Sequence, residues 1–319
     1  MSSAPTQRHI PWGALGPWLA LAAAGLFFAS QSDRFLTGPN LSLILQQVMV
    51  VGLLAIGQTL IILTAGIDLS CGMVMALGGM VMTKFAADFG LHPIATMACG
   101  IAVTAAFGLI NGLLITKIKL PAFIVTLGTM NIAFAVTQIY SGAQTVTDLP
   151  PTLTALGNTF NFGAEFSYGT VLMVALYVAA WFVLRDTAPG RHLYAVGNNP
   201  EAARLTGIPV GRVLIGVYVI AGIFYGIAAM LSVARTGVGD PQAGQTENLD
   251  AITAVVLGGT SLFGGRGIIL GSLVGAVIVG VFRNGLTLMG VASVVQTLIT
   301  GILVILAVAA DQMSRKGAR

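Results

Sequence analysis

The chain has 319 residues, of which 56% are hydrophobic and only 8% charged, with a mean hydropathy of +0.90. A soluble domain is about a quarter charged, so this composition excludes an ordinary soluble enzyme and points to a chain that lies mostly in lipid. The formal charge of +4 is modest and gives no reason to expect nucleic acid.

An N-terminal tail with Arg8 and His9 leads into an apolar run from about Ile10 to Ala29. This run is longer than the apolar core of a signal peptide, about 7 to 15 residues, and no clear small-x-small cleavage site follows, so it reads as a first transmembrane helix. Asp33, Arg34 and the turn signal Gly38-Pro39-Asn40 separate it from a second run, Leu41 to Thr64. Asn40-Leu41-Ser42 matches a glycosylation sequon, but its closeness to the membrane favours chance.

Gly66-Ile67-Asp68-Leu69-Ser70 then places a carboxylate between two apolar runs, with no basic residue within ten positions. An acid in hydrocarbon costs several kcal/mol unless it caps a helix or lines water. Asp68 or Ser70 therefore either caps a third helix, Cys71 to about Lys84, or belongs to a gate or translocation path. Asp88 to Pro93 reads as a loop, Ile94 to Thr116 as helix 4 and Pro121 to about Tyr140 as helix 5. Helix 5 carries Thr126, Thr129, Asn131, Thr137 and Gln138, neutral groups that either bind helices together or line a wet path. Ser141 to Ser167 is polar, rich in turn residues and free of basic ones, and Tyr168 to Leu184 is helix 6.

The long polar interruption is Arg185 to Arg212, with four arginines, Asp186 and Glu201. Its middle reads as a very short helix: Asn199 suits the N-cap, Pro200 the first helical position, Glu201 the positive end of the dipole and Gly207 the left-handed stop. About seven helical residues give roughly 10 Å, too little to be stable alone in water. Such a helix must be held by rigid neighbours or pressed on a partner.

Val213 to Ala234 is helix 7, and Arg235 to Asp250 a second acidic loop containing glycine. Ala251 to Phe263 is apolar but too short for an ordinary span, and a turn, Gly264-Gly265-Arg266-Gly267, follows it. Ile268 to Phe282 and Val291 to Ala310 complete the apolar runs, and a tail with Asp311, Arg315, Lys316 and Arg319 closes the chain. Glycine pairs at Gly108 and Gly112, Gly222 and Gly226, and Gly271 and Gly275 permit close helix approach. AGIDLSCG in the first half is loosely similar to GGTSLFGG in the second, compatible with an internal repeat.

If every run crosses, there are ten crossings and both termini share a side. Placing that side in the cytoplasm puts Arg8, Lys117, Lys119, Arg185, Arg191, Arg204, Arg212, Arg266, Arg315, Lys316 and Arg319 inside, eleven of the fifteen basic residues. Only Arg34, Lys84, Arg235 and Arg283 are left outside, in accord with the excess of positive charge on cytoplasmic loops. The expectation is an all-α polytopic membrane protein forming one domain. Helices 1–6 occupy 1–184, a cytoplasmic segment 185–212, and helices 7–10 213–319.

No Gly-x-x-x-x-Gly-Lys-Ser/Thr loop is present, so no ATP-cradling site of the chain's own is expected. His9, His92 and His192 lack metal-ligand spacing, and no serine or cysteine lies in a nucleophile elbow. Cys71 and Cys99 read as small core hydrophobes, and neither an enzyme active site nor a metal is expected.

Four motifs together carry a resemblance: GIDLSCG at 66–72, LPAFIVTLGTMN at 120–131, AVGNNPEAARLTGI at 195–208 and AVVLGGTSLFGGRG at 254–267. In this order, over about residues 46–290, the chain resembles the ribose-type permease subunits of bacterial sugar ABC importers. The resemblance implies a multi-pass protein of the bacterial inner membrane that binds no cofactor itself. It implies three partners: a second permease subunit, an ATP-binding subunit that uses ATP and Mg on the cytoplasmic face, and a periplasmic sugar-binding protein. It also implies that the segment with Gly197, Asn198, Asn199, Pro200, Glu201, Ala202, Ala203, Arg204, Gly207 and Ile208 holds the coupling helix that docks on the ATPase. The Ile-x-Leu-Pro ending of that motif in other importers is missing here, so the helix's position transfers better than its contacts. Ala202 and Ala203 are expected to give the helix an apolar docking face, with Glu201 and Arg204 supplying directional contacts.

The expected cargo is a monosaccharide such as ribose, xylose or galactose, with branched-chain amino acids or nucleosides as the alternative. The gate or path residues expected are Asp68, Ser70, Thr126, Asn131 and Gln138. An ion-coupled secondary transporter is a weaker reading, because Asp68 is the only strong candidate for a coupling charge in the membrane.

Overall fold

A computed structural model describes residues 12–161 and 165–316. The tail with Arg8 and His9, the start of the first apolar run at Ile10, and Arg319 lie outside the described residues. In chain order the helices are α1 (Trp12–Gln31), α2 (Gly38–Leu63), α3 (Cys71–Phe89), α4 (Pro93–Lys117), α5 (Ala122–Ser141), α6 (Pro151–Thr154), α7 (Tyr168–Asp186), α8 (Ala188–Asn198), α9 (Pro200–Leu205), α10 (Val210–Thr236), α11 (Glu247–Leu257), α12 (Ile269–Leu288) and α13 (Ser293–Lys316). A small antiparallel hairpin, β1 (Thr159–Asn161) and β2 (Glu165–Ser167), precedes α7. Among the described residues, six helices are long and apolar enough to cross a membrane: α2, α4, α5, α7, α10 and α12.

Burial sorts these spans. α2 is apolar around its whole circumference and buried almost without interruption from Val48 to Leu63, so it is the centre of the bundle. α4, α5 and α7 bury only a stripe each and turn Leu109, Ile124, Phe134, Ile139 and Val178 outward, as helices facing lipid do. The glycine pairs account for the tightest crossing. Gly108 and Gly112 of α4 meet the backbone of α10 at Tyr218 and Ile215, while Gly222 and Gly226 of α10 meet α4 at Thr104 and Ile101. Gly271 and Gly275 likewise seat α12 on Gly258 and Ala254 at the end of α11.

Several boundaries differ from the sequence expectation. Gly38-Pro39-Asn40 opens α2 instead of forming a separate turn, because proline is tolerated in the first turn of a helix. Asn40 is buried and exchanges hydrogen bonds with Asn284 of α12 at 3.0 and 2.9 Å, so it cannot serve as a glycan acceptor in the folded chain. α3 runs to Phe89 and includes Asp88, which pairs with Lys84 at 3.2 Å, leaving only 90–92 as a loop. Asp250 belongs to α11 and not to the preceding loop, which is 237–246. The short run from Ala251 splits into the end of α11 and the turn 258–268, with Ala251, Ala254 and Val255 fully buried in protein.

The packing test is a pair of substitutions in α10. At Gly222 a Cβ would lie 2.5 Å from the Thr104 carbonyl and 2.9 Å from the Ala105 Cα, and backbone cannot swing aside; at Gly216 nothing lies within 4 Å. Gly222→Ala is expected to lower stability by about 1–3 kcal/mol, whereas Gly216→Ala leaves it unchanged or raised, read from thermal unfolding of the detergent-solubilised chain.

Candidate functional site

Between α2 and α3 the chain is not helical from Thr64 to Ser70. Ala65 sits in the left-handed region at φ 61°, where the chain turns out of α2. The segment then runs along α10: Gly66 packs beside Tyr218 and Asp68 beside Tyr225, two turns or about 10 Å further from the N-terminus of α10. α3 therefore begins part-way along α10, and its Gly72 meets Gly244 in the loop before α11.

Open backbone at this depth is tolerated only where protein or water satisfies it. Here three successive carbonyls receive side-chain donors from three different helices. Thr126 of α5 donates to the Ile67 carbonyl at 3.1 Å, Gln58 of α2 to that of Asp68, and Asn248 of α11 to that of Leu69 at 3.3 Å. Asp68 folds back on the segment, its Oδ1 accepting from the Ser70 N–H at 2.8 Å and the Ser70 hydroxyl at 2.6 Å, and its Oδ2 accepting from Tyr225 at 3.2 Å. Asn111 of α4 donates to the Ser70 hydroxyl at 3.3 Å. Five helices thus converge on seven residues.

Of the residues expected at a gate, Asp68, Ser70 and Thr126 are brought together and buried in this cluster. Ser70 occupies the N-cap position of α3, but its side chain makes no cap bond there. Asn131 is not in the cluster: it is exposed on α5 and bonds its own helix at Leu127. Gln138 reaches instead to the Pro241 carbonyl at 3.3 Å. Gln58, Asn111, Tyr225 and Asn248 escaped sequence reasoning, although Gln58 and Asn111 carried a signal as amides within apolar runs.

The second feature is the pair α8 and α9. α8 was not expected; Thr187 caps it, its Oγ1 accepting from the Gly190 N–H at 3.4 Å, and Pro189 occupies its first turn. α9 follows the sequence reading closely, with Asn199 Oδ1 accepting from Ala202 N–H at 3.0 Å and Gly207 at φ 87° ending the helix. Glu201 and Arg204 pair with each other at 3.2 Å on the exposed side.

Two of the residues expected at the docking helix are buried in the chain. Ala203 is 4% exposed and buried against the chain itself, while Ala202 and Leu205 point outward, Leu205 at 79% exposure. Gly197 is buried too: a Cβ there would lie 1.8 Å from the Leu63 carbonyl and 2.7 Å from the Gly265 N–H. That N–H donates to the Leu63 carbonyl at 2.9 Å, so the end of α8, the end of α2 and the 258–268 turn meet backbone to backbone. The similar stretches AGIDLSCG and GGTSLFGG touch at this junction. Tyr194 of α8 adds a bond to the Gly267 carbonyl at 3.0 Å, and burial pushes its phenol pKa up, so it stays a donor. Among the described residues no group of His, Cys, Asp and Glu could hold a metal ion.

The family described as "Branched-chain amino acid transport system / permease component" matches residues 40–308. The fructose import permease protein of Rhizobium meliloti is 46% identical over 93% of this chain and 84% of its own length. The ribose import permease protein of Bacillus subtilis is 40% identical over 93% of this chain and 92% of its own, and the D-allose transport system permease protein of Escherichia coli 36% over 98% and 95%. No solved structure matches the chain.

Tyr225→Phe tests the cluster. It leaves Asp68 Oδ2 without its buried donor and is expected to cost about 1–3 kcal/mol of stability, whereas Asn131→Ala on the exposed face leaves the melting temperature of the purified chain unchanged.

Proposed function

The chain belongs to the permease-component family of branched-chain amino acid transport systems, and from that premise we propose that it moves a monosaccharide across the bacterial inner membrane as the membrane subunit of an ABC importer. The observation that carries the sugar reading is identity of 36–46% with fructose, ribose and allose permeases over nine-tenths or more of this chain. In this reading about ten segments cross the membrane, α11 being a short crossing embedded in protein, and both termini face the cytoplasm together with α8 and α9. The whole chain is one transmembrane domain, paired with a second copy of itself. A periplasmic binding protein delivers the sugar, and ATP and Mg act only in a partner subunit.

α9 is the element that docks on that ATP-binding subunit. Its outward face is Glu201, Ala202, Arg204 and Leu205, not Ala203. The capped, proline-started helix is short enough to move as one piece, and the backbone junction at Gly197 hands its displacement to the Thr64–Ser70 break. ATP-driven closure of the partner subunits then switches the paired permeases between inward-open and outward-open states.

Leu205→Asp puts a charge in the docking face without disturbing the chain's own core. It is expected to reduce ATP-dependent sugar uptake in reconstituted vesicles by about tenfold or more, the size of a lost interface anchor, with the melting temperature unchanged. Uptake at the normal rate would count against docking through α9. Asp68→Asn separates the two roles of the break: loss of folded protein marks Asp68 as structural, and normal folding with lost uptake marks it as part of the moving path.

A further inference from the structure

Two cavities meet at one ion pair on α11, the helix whose Asn248 also serves the Asp68 cluster. The smaller, of 320 Å³, lies between α3, the C-terminal half of α10 and the 237–246 loop, and its lining includes Ser232, Arg235, Gln242, Gln245 and Glu247. The larger, of 540 Å³, follows α11 from Thr246 down to Leu257, between α12 and α13, past Thr253 and Thr300. Both fall in the range of about 300–1,000 Å³ typical of small-molecule sites. Arg283 and Thr246 line both cavities, and Asp250 lines the larger.

Arg283 Nη1 donates to Asp250 Oδ2 at 2.9 Å. The two partners are unlike: the Asp250 side chain is 7% exposed and fixed in the wall, while that of Arg283 is 44% exposed and borders open space on both sides. A single N–H···O contact is easier to exchange than the two parallel bonds of a bidentate pair. A second acceptor is at hand. Glu247, one helical turn before Asp250 and in the smaller cavity, makes no ion pair among the described residues; one of its oxygens accepts from the Thr246 N–H at 3.3 Å, and both Arg235 and Arg283 attract it across the cavity.

We propose that the Asp250–Arg283 pair is an internal gate on the solute path, closed when Arg283 bonds Asp250 and opened when Arg283 swings to Glu247 and joins the two cavities. The proposal rests on the permease reading for its cargo, a neutral polyhydroxyl solute, which suits the hydroxyls, amides and charges of both signs that line the smaller cavity. The gate itself concerns only access from one cavity to the other.

The test is thiol labelling of the full chain in membrane vesicles, with Cys71 and Cys99 replaced by alanine. A neutral, membrane-impermeant, sugar-sized maleimide is added on the side opposite α9. Thr253→Cys reports the larger cavity and Gln242→Cys the smaller. With the pair intact, Gln242→Cys labels and Thr253→Cys does not. Adding Arg283→Gln, or separately Asp250→Asn, is expected to speed labelling at Thr253→Cys by about tenfold or more through increased access while leaving Gln242→Cys unchanged. Equal Thr253→Cys rates with and without the pair, parallel acceleration at both positions, or loss of folded protein in both charge variants would each overturn the gate in favour of an anchor between α11 and α12. Labelling needs no sugar, so failure of the monosaccharide reading shows separately, as absent ATP-dependent uptake of labelled fructose and ribose by the intact importer.

Discussion

The constraint on which this structure depends is the need to satisfy open backbone in the interior of a membrane protein. Between Thr64 and Ser70 the polypeptide gives up helical bonds where no bulk water can replace them. The solution is to spend polar side chains from α2, α5 and α11 on the carbonyls of Ile67, Asp68 and Leu69, and to fold Asp68 onto Ser70. Each donor fixes the position of its own helix relative to the break. A seven-residue interruption therefore specifies how five helices assemble, and apolar side chains fill the space around it.

This explains the division between a central helix and peripheral ones. α2 supplies Gln58 to the break and ends at the Leu63 junction, so it must be surrounded on all sides, and from Val48 to Leu63 its sequence is apolar or glycine except at Gln58 and Thr59. α4 reaches the same point through Asn111 only because Gly108 and Gly112 let α10 close on it. Small residues thus bring backbones close enough for scarce polar groups to meet, which a purely apolar bundle has no means of specifying.

Much of the fold was legible because long apolar runs and charged interruptions leave few ways to thread a membrane. The α9 helix was readable to within a residue, since Asn199, Pro200 and Gly207 each do a local job that needs no tertiary partner. α8 was missed because its two glycines lower helix propensity, and Gly197 is demanded by backbone contact with distant Leu63 and Gly265. The same non-local cause hid the roles of Tyr225 and Asn248, and turned Ala203 inward where a docking face was expected. Hydrophobic pattern reveals which segments pack, but not which polar atom in one helix answers which carbonyl in another.

The junction at Gly197 makes the two halves of the chain mechanically one at the α9 end. Leu63 leads into the break that carries Asp68, and Gly265 lies in the turn between α11 and α12, the helices that carry Asp250 and Arg283. Backbone alone therefore links this junction to the segments that carry both buried acids. The two acids differ in what a shift there can do. Asp68 is held by Ser70 and Tyr225 with no opposing cation among the described residues, so a shift strains a closed set of hydrogen bonds. Asp250 is held by one arginine with a second carboxylate beside it, so a shift can exchange one ion pair for another at little net cost in Coulomb energy. The first arrangement is a closed set of hydrogen bonds and the second an ion pair with an alternative acceptor nearby, and the two lie on the two branches leaving one backbone contact.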